Sequence, residues 1–269
     1  MEEMFSVVKS LHTRVFRIFG AVALVIGMVP STLSAQQPQA PLPPPHVDPQ
    51  ARQMLDRAIQ ILGGQAFLTA KTLTTKGRAF FFQDGATAGM EPYESYVQYP
   101  DKRRFSYGKT KPVILINDGD KGWELDRYGL ISQPDQQLQG WIISNRYSLE
   151  NLLRLRINEP GVLIQIGKAD FVDNVATQGI EIIATGGTSV RLDLHRQTLA
   201  PFRISYRIRN VKEEAWDDYS DAYADFRTID GIQTAMHVTR YLNGDRIGET
   251  FRSSAKYNEE YPSNYFTAE

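Results

Sequence analysis

Residues 202–209 read Phe202-Arg203-Ile204-Ser205-Tyr206-Arg207-Ile208-Arg209, and this octet decides the fold class. Phe202, Ile204, Tyr206 and Ile208 fall on one side of an extended chain, and Arg203, Arg207 and Arg209 on the other. Side chains alternate in this way along a strand, not around a helix. One greasy and one charged face marks an antiparallel sheet that meets water on one side only.

The same period recurs outward from this octet. Downstream, strands are expected on both sides of Asn243-Gly244, a dipeptide suited to a two-residue hairpin, from His237 to Leu242 and from Arg246 to Tyr257. Upstream, Val162 to Ile166, Gly179 to Ala184 and Ser189 to Leu194 read as strands, the last two joined by Gly186-Gly187. Thr72 to Phe82 places Leu73, Thr75, Ala79 and Phe81 on one face and Lys76 and Arg78 on the other. Tyr93 to Tyr99 and Arg103 to Tyr107 follow. Lys111 to Ile116 and Trp123 to Asp126 flank a turn at Asn117 to Gly122, with Trp123 and Leu125 opposed to Glu124 and Asp126.

Two segments change to a helical period. Gln50 to Leu62 repeats apolar residues at helical spacing, with Pro49 fit for the first turn and Gly63-Gly64 for the stop. Pro134 to Ile157 carries the stripe Leu138, Trp141, Ile142, Leu149, Leu152 and Leu153, and Pro160-Gly161 ends it. The expected fold is mainly β with two helices: roughly ten antiparallel strands in a curved, unclosed barrel, the helices covering its concave face. Accumulated strand twist forces a sheet of that size to curl.

The N-terminal end has its own organisation. Lys9, Arg14 and Arg17 precede the apolar run Ile18 to Val29, broken at Pro30, and small residues lead up to Ala35. This is the pattern of a cleaved export signal over residues 1–35, the run being well short of the roughly 20 residues that span a bilayer. Residues 36–49, rich in Pro and Gln, read as an extended tether, and residues 50–269 as one domain. The expected location is the periplasm.

Composition excludes several classes. A formal charge of −1 over 269 residues is not the footprint of a nucleic-acid binder. Absent cysteine removes disulfides, thiolate chemistry and the attachment point of a lipoprotein anchor. His46, His195 and His237 have no second histidine at ligand spacing, so no metal and no cofactor is expected. Asn117-Asp118-Gly119-Asp120 lacks the closing acid of a calcium loop and reads as a turn. No nucleophile elbow or phosphate loop occurs, so no catalytic residue is assigned. The basic stretches Lys102-Arg103-Arg104 and Arg203/Arg207/Arg209 read as solvated sheet surface, with a docking surface for anionic lipid headgroups as the alternative. The acidic cluster Glu213, Glu214, Asp217, Asp218, Asp221 and Asp225 reads as a polar strand face or hairpin tip.

The C-terminal half also resembles the outer-membrane lipoprotein-sorting superfamily, LolA-like periplasmic lipoprotein carriers and their exported relatives. The likeness lies in Leu192-Asp-Leu-His-Arg-Gln-Thr-Leu-Ala-Pro-Phe-Arg-Ile204, Asp225-Phe-Arg-Thr-Ile-Asp-Gly-Ile232, the Asn243-Gly244 hairpin, and Lys256-Tyr-Asn258 with Phe266. Gly63-Gly64 followed by Thr75-Lys-Gly77 is similar to the start of such exported members. Thr234-Ala235 departs from the apolar-Pro pair common there. The resemblance implies an unclosed β-barrel with an apolar cavity for acyl chains, and no residue role is carried over.

The reading that follows is a periplasmic binding or carrier module for lipid or lipoprotein acyl chains, not an enzyme. Its partners would be a lipid or lipidated protein, and an envelope membrane protein is a further candidate. Expected wall residues are Leu73, Phe81, Val97, Trp123, Leu125, Phe202, Ile204 and Tyr206 from strands, and Trp141, Ile142 and Leu149 from the helical lid. Two alternatives stand beside it: an envelope sensor or protein-interaction domain on the same fold, and a secreted hydrolase in which Asp217 and Asp221 converge with a third carboxylate.

Overall fold

The computed structural model describes residues 42–210 and 214–268. The expected leader, most of the tether and Glu213 lie outside the described residues. Helix α1 (Pro49–Leu62) starts where Asp48 accepts a hydrogen bond from the backbone N–H of Ala51 at 2.9 Å. Its Pro49 needs no N–H in the first turn. The helix buries Ala51, Leu55, Ala58, Ile59 and Leu62 and stops at Gly63. There φ is +123°, and a Cβ would stand 2.5 Å from the Gly231 carbonyl oxygen, so glycine alone lets the chain pass. A short helix, α2 (Gln65–Thr69), follows.

Strand β1 is only His46–Val47. A meander then runs through β2 (Thr72–Gln83), β3 (Ala86–Gln98), β4 (Lys102–Tyr107), β5 (Val113–Asp118), β6 (Lys121–Asp126) and β7 (Gly129–Ser132). The chain leaves the sheet for α3 (Asp135–Arg146), α4 (Leu149–Arg154) and a 3-10 turn (Arg156–Asn158). A second meander comprises β8 (Leu163–Val172), β9 (Val175–Ile183), β10 (Ser189–His195), β11 (Pro201–Asn210), β12 (Ala215–Ile229), β13 (Ile232–Leu242) and β14 (Asp245–Tyr257). The two meanders join where β14 pairs with β2, giving the order β1-β8-β9-β10-β11-β12-β13-β14-β2-β3-β4-β5-β6-β7. Every pair is antiparallel except β1 on β8. With β1 and β7 both left as edges, the sheet is not closed into a barrel.

Its curvature follows from what α1 touches. This helix packs on β8 and on β13, five strands apart in the sheet. In a flat sheet those strands would be about 24 Å apart at about 4.8 Å per strand, against a helix about 10–12 Å across. The sheet must therefore wrap around the helix. Ile164, Ile180, Ile182, Leu192, Leu194 and Ile204 from β8–β11 meet Leu55, Leu62, Leu152, Leu153 and Ile157 from the helical side, all essentially without exposed surface. That half of the concavity is solid.

Several expectations need correction. Among the described residues there are four helices, not two, because Gln65–Thr69 adds one and the Pro134–Ile157 pattern breaks at Tyr147. Ser148 restarts it, its hydroxyl accepting from the Asn151 N–H at 3.3 Å. Fully buried Asn151 then donates to the carbonyls of Pro100 (2.7 Å) and Asn145 (2.9 Å), tying α4 to the β3–β4 turn. Among the described residues fourteen strands replace roughly ten. The end of the tether is extended and largely exposed but not without partners: His46–Val47 pairs with Leu163–Ile164, and the Gly161 N–H bonds the Pro43 carbonyl at 2.7 Å. The acidic cluster lies largely on one long strand, β12. Asn243 (φ +53°) and Gly244 (φ +88°) form the expected hairpin turn, as positive φ at both positions requires.

Candidate functional site

Directly opposed residues of an antiparallel pair project to the same face, so the register identifies the concave side. One row crosses seven strands as Ile180, Leu192, Ile204, Asp221, Arg240, Gly248 and Phe81. Its first three members are packed under α1 and α4. The next two are charged, Gly248 presents no side chain, and Phe81 closes the row. A second row on this face is Leu73, Val97, Arg103, Asn117 and Gly122. The concave face thus turns from solid aliphatic to charged and then to hollow as it passes from β11 to β2.

In the hollow half lie three adjoining chambers of about 150, 180 and 290 Å³. Arg240 and Arg252 belong to the wall of all three. The largest is faced by Phe81, Tyr93 and Phe105. These rings continue one another: Tyr93 stacks on Phe105 at 5.4 Å, Phe105 meets Tyr107 at 5.8 Å, and Tyr107 meets Phe81 at 5.5 Å. The 180 Å³ chamber lies under α3, where Trp141 and Ser144 reach it. A wider groove of about 830 Å³ runs where residues 69–72 meet 258–261. It is bordered mainly by polar side chains and does not share the arginines of the three chambers.

Electrostatically the hollow is not bland. Asp221 holds Arg240 through two parallel bonds of 2.8 Å. Coulombic attraction to Asp221 raises the Arg240 pKa against the opposing effect of burial. Arg103, from β4, is brought down to about 10 by burial and by the neighbouring Arg240 cation. Its buried Nε has no hydrogen-bond partner among the described residues. Arg252 donates to the Ala235 carbonyl at 2.8 Å. Burial lifts the phenols of Tyr223 (well above its usual range) and Tyr257 (to about 12), so both remain neutral donors in the smallest chamber.

The structure distributes the sequence-predicted wall residues unevenly. Leu73, Val97 and Trp141 share the 180 Å³ chamber, Phe81 lies in the largest and Leu149 in the smallest. Ile204 is inside the solid core. Tyr206 is wedged between Tyr147 (5.3 Å) and Tyr219 (5.6 Å). Phe202 and Ile142 are half-buried and outside the chamber walls. Trp123 and Leu125 do not join them at all. Trp123 pairs with Ile116, and that row continues through Arg104 and Tyr96 to Thr74 on the convex face. The C-terminal segment covers that side. Tyr261 bonds the Thr74 hydroxyl at 2.8 Å, and Tyr265 lies 5.1 Å from Tyr96.

The charged groups were read differently from the sequence. Lys102-Arg103-Arg104 is not uniformly solvated: Lys102 pairs with Asp118 at 3.1 Å, Arg104 lies over the Tyr265 ring, and Arg103 points into the hollow. Asp217 accepts from the amides of Asn210 (2.9 Å) and Asn243 (3.1 Å), whereas Asp218 is bidentate with Arg207 (2.6 and 2.9 Å). Asp217 and Asp221 therefore answer different partners and do not converge as a hydrolytic pair would. The functional candidates missed in the sequence are Arg240, Arg252 and Glu150, while Arg103 was seen only as one of three alike basic residues. The one available signal was parity, since Arg103 shares its side of β4 with Phe105.

No protein-family model matches the chain, and no curated protein matches it in sequence. Its fold is nonetheless shared with solved structures. A DUF1329 family protein from Desulfovibrio piger superposes with a TM-score of 0.53 at 12% identity, over 80% of this chain and 96% of the other. A domain from Vibrio parahaemolyticus, named for outer membrane lipoprotein sorting, gives 0.52 at 12% identity over 81% and 97%. A LolA superfamily protein from Nitrosomonas europaea gives 0.48 at 15% identity over 81% and 97%. The fold, an unclosed β-barrel, is thus shared with the first two of these structures.

Proposed function

We propose that this chain is a periplasmic carrier or binding module for the acyl chains of a lipid or lipidated protein. The observation that carries the proposal is the aromatic-walled hollow left between β2–β4 and β12–β14 under α3, beside the half of the concave face that α1 and α4 fill. A structural core gains nothing from such a void; a binding site requires one. Each buried methylene is worth about 0.8 kcal/mol, so a chain with about ten methylenes inside contributes about 8 kcal/mol, the scale of a micromolar complex. Each chamber falls below the usual pocket range of about 300–1,000 Å³. The resting cavity therefore suits one chain, and a multiply acylated cargo would need α3 to lift. The export-signal pattern read in the sequence over residues 1–35 supports the periplasmic part of this reading.

The tryptophans allow a direct test. Trp141 faces a chamber, Trp123 lies on the convex face and Trp216 is 53% exposed. In a Trp123→Phe/Trp216→Phe protein, a fatty acid brominated at mid-chain should quench Trp141 emission saturably, at about one per chain. Loss of quenching with bromine-free competitor should restore the signal. Emission indifferent to the brominated chain would remove the carrier reading.

A further inference from the structure

Three guanidinium groups meet in the hollow, and among the described residues only one has a carboxylate bound to it. Arg240 is satisfied by Asp221. Arg252 donates to a neutral carbonyl. Arg103 enters from the opposite wall, shares two chambers with both of them, and keeps a buried Nε with no partner. Glu150 borders two of the chambers but makes no ion pair within 4 Å among the described residues. A third carboxylate in these walls, Glu249, is taken up by His237 at 2.8 Å and Arg246 at 3.4 Å, so among the described residues Arg103 and Arg252 face only Glu150. A buried cation without a counter-charge is a costly arrangement, and a second guanidinium beside it makes it costlier. Such a site becomes favourable when an anion enters.

Resting on the acyl-chain reading above, we infer that the hollow takes an anionic single-chain amphiphile, with its carboxylate or phosphate head at Arg103 and Arg252 and its chain along Phe81, Tyr93 and Phe105. Guanidinium forks match both head groups in two parallel bonds. The aromatic wall begins at the arginine itself, because the Arg103 guanidinium sits 5.7 Å from the Phe105 ring centre. Head and tail sites are therefore continuous. Asp221 acts as a positioning residue here, holding Arg240 out of the way of the incoming head.

Competition against a dansyl-labelled acyl probe on the full-length chain separates the two layers of the claim. Laurate, lauroyl lysophosphatidate and dodecanol would be compared on the native protein, on Arg103→Met and on Arg103→Lys. At least one anion should bind tenfold or more tightly than dodecanol, and the stronger of the two identifies the head group. Arg103→Met should lose at least tenfold toward that anion, keep dodecanol within threefold, and melt no lower than the native chain. Arg103→Lys should recover part of the loss. Equal binding of dodecanol and both anions to the native protein would overturn the anion site while leaving the acyl-chain reading intact. Equal loss of all three ligands in Arg103→Met would also overturn it, assigning that residue to the scaffold. Binding of none would remove both.

Discussion

Gly77 shows how a single position governs this sheet. It sits opposite Arg252, beside the bulge where the β14–β2 register shifts, and a Cβ there would lie 1.9 Å from the Phe251 carbonyl oxygen. No side-chain rotation relieves a clash with backbone. Gly77→Ala is expected to destabilise the fold by about 1–3 kcal/mol, the range of overpacking and strain, read as a lower urea midpoint. Gly140 is the control. It lies in α3 with nothing within 4 Å of its would-be Cβ, so Gly140→Ala should stabilise by about 0.5–1 kcal/mol. At this scale the sequence is legible where chemistry is local. Asn243-Gly244 announces its own turn, and Pro49 and Gly63 bracket their own helix. Arg103 is opaque for the opposite reason. Within Lys102-Arg103-Arg104 the three residues look alike, and their fates are decided by partners on β3, β5 and the C-terminal segment.

The elements differ most in how they are anchored. Helix α1 buries five side chains, whereas α3 buries Trp141 alone. Helix α4 lies between, held by Asn151 and by Arg154, which donates to the Ala70 carbonyl at 3.0 Å and lies over Tyr99 at 4.2 Å. Local opening follows buried contact. Backbone amides of α3 should exchange with deuterium at least tenfold faster than those of α1, and saturating fatty acid should slow α3 more than α1. Equal protection of the two helices, unchanged by ligand, would mean that α3 is no lid. The same reasoning explains which elements were visible in the sequence. The Phe202–Arg209 alternation and the α1 stripe are periodic and strong. The stretch that forms β12 mixes polar with aromatic or apolar residues on both faces, and β1 and β7 are short edges that exist only because β8 and β6 receive them. Alternation in β6 correctly separates Trp123 and Leu125 from Glu124 and Asp126, but it cannot say which side is inner. The convex face has its own cover of Tyr261, Tyr265 and Phe266, which is where Trp123's row belongs.

Over the whole molecule the sheet does two jobs at once. Strands β8–β11 close on α1 and α4 as an ordinary aliphatic core, which gives the curl its rigidity. Strands β12–β14 and β2–β4 continue the same curve with too little helix to fill it, and the hollow results. Curvature was foreseeable from strand number and twist. The division into a solid and a hollow half was not, because it depends on β14 reaching β2 from the far end of the chain. The most direct test of an acyl-chain site is solvent extraction of detergent-free protein, purified natively from cells, followed by mass spectrometry of the extract. Close to one acyl-chain lipid per protein is the expected result; protein that yields no lipid, from a preparation whose membranes contain it in abundance, would contradict it.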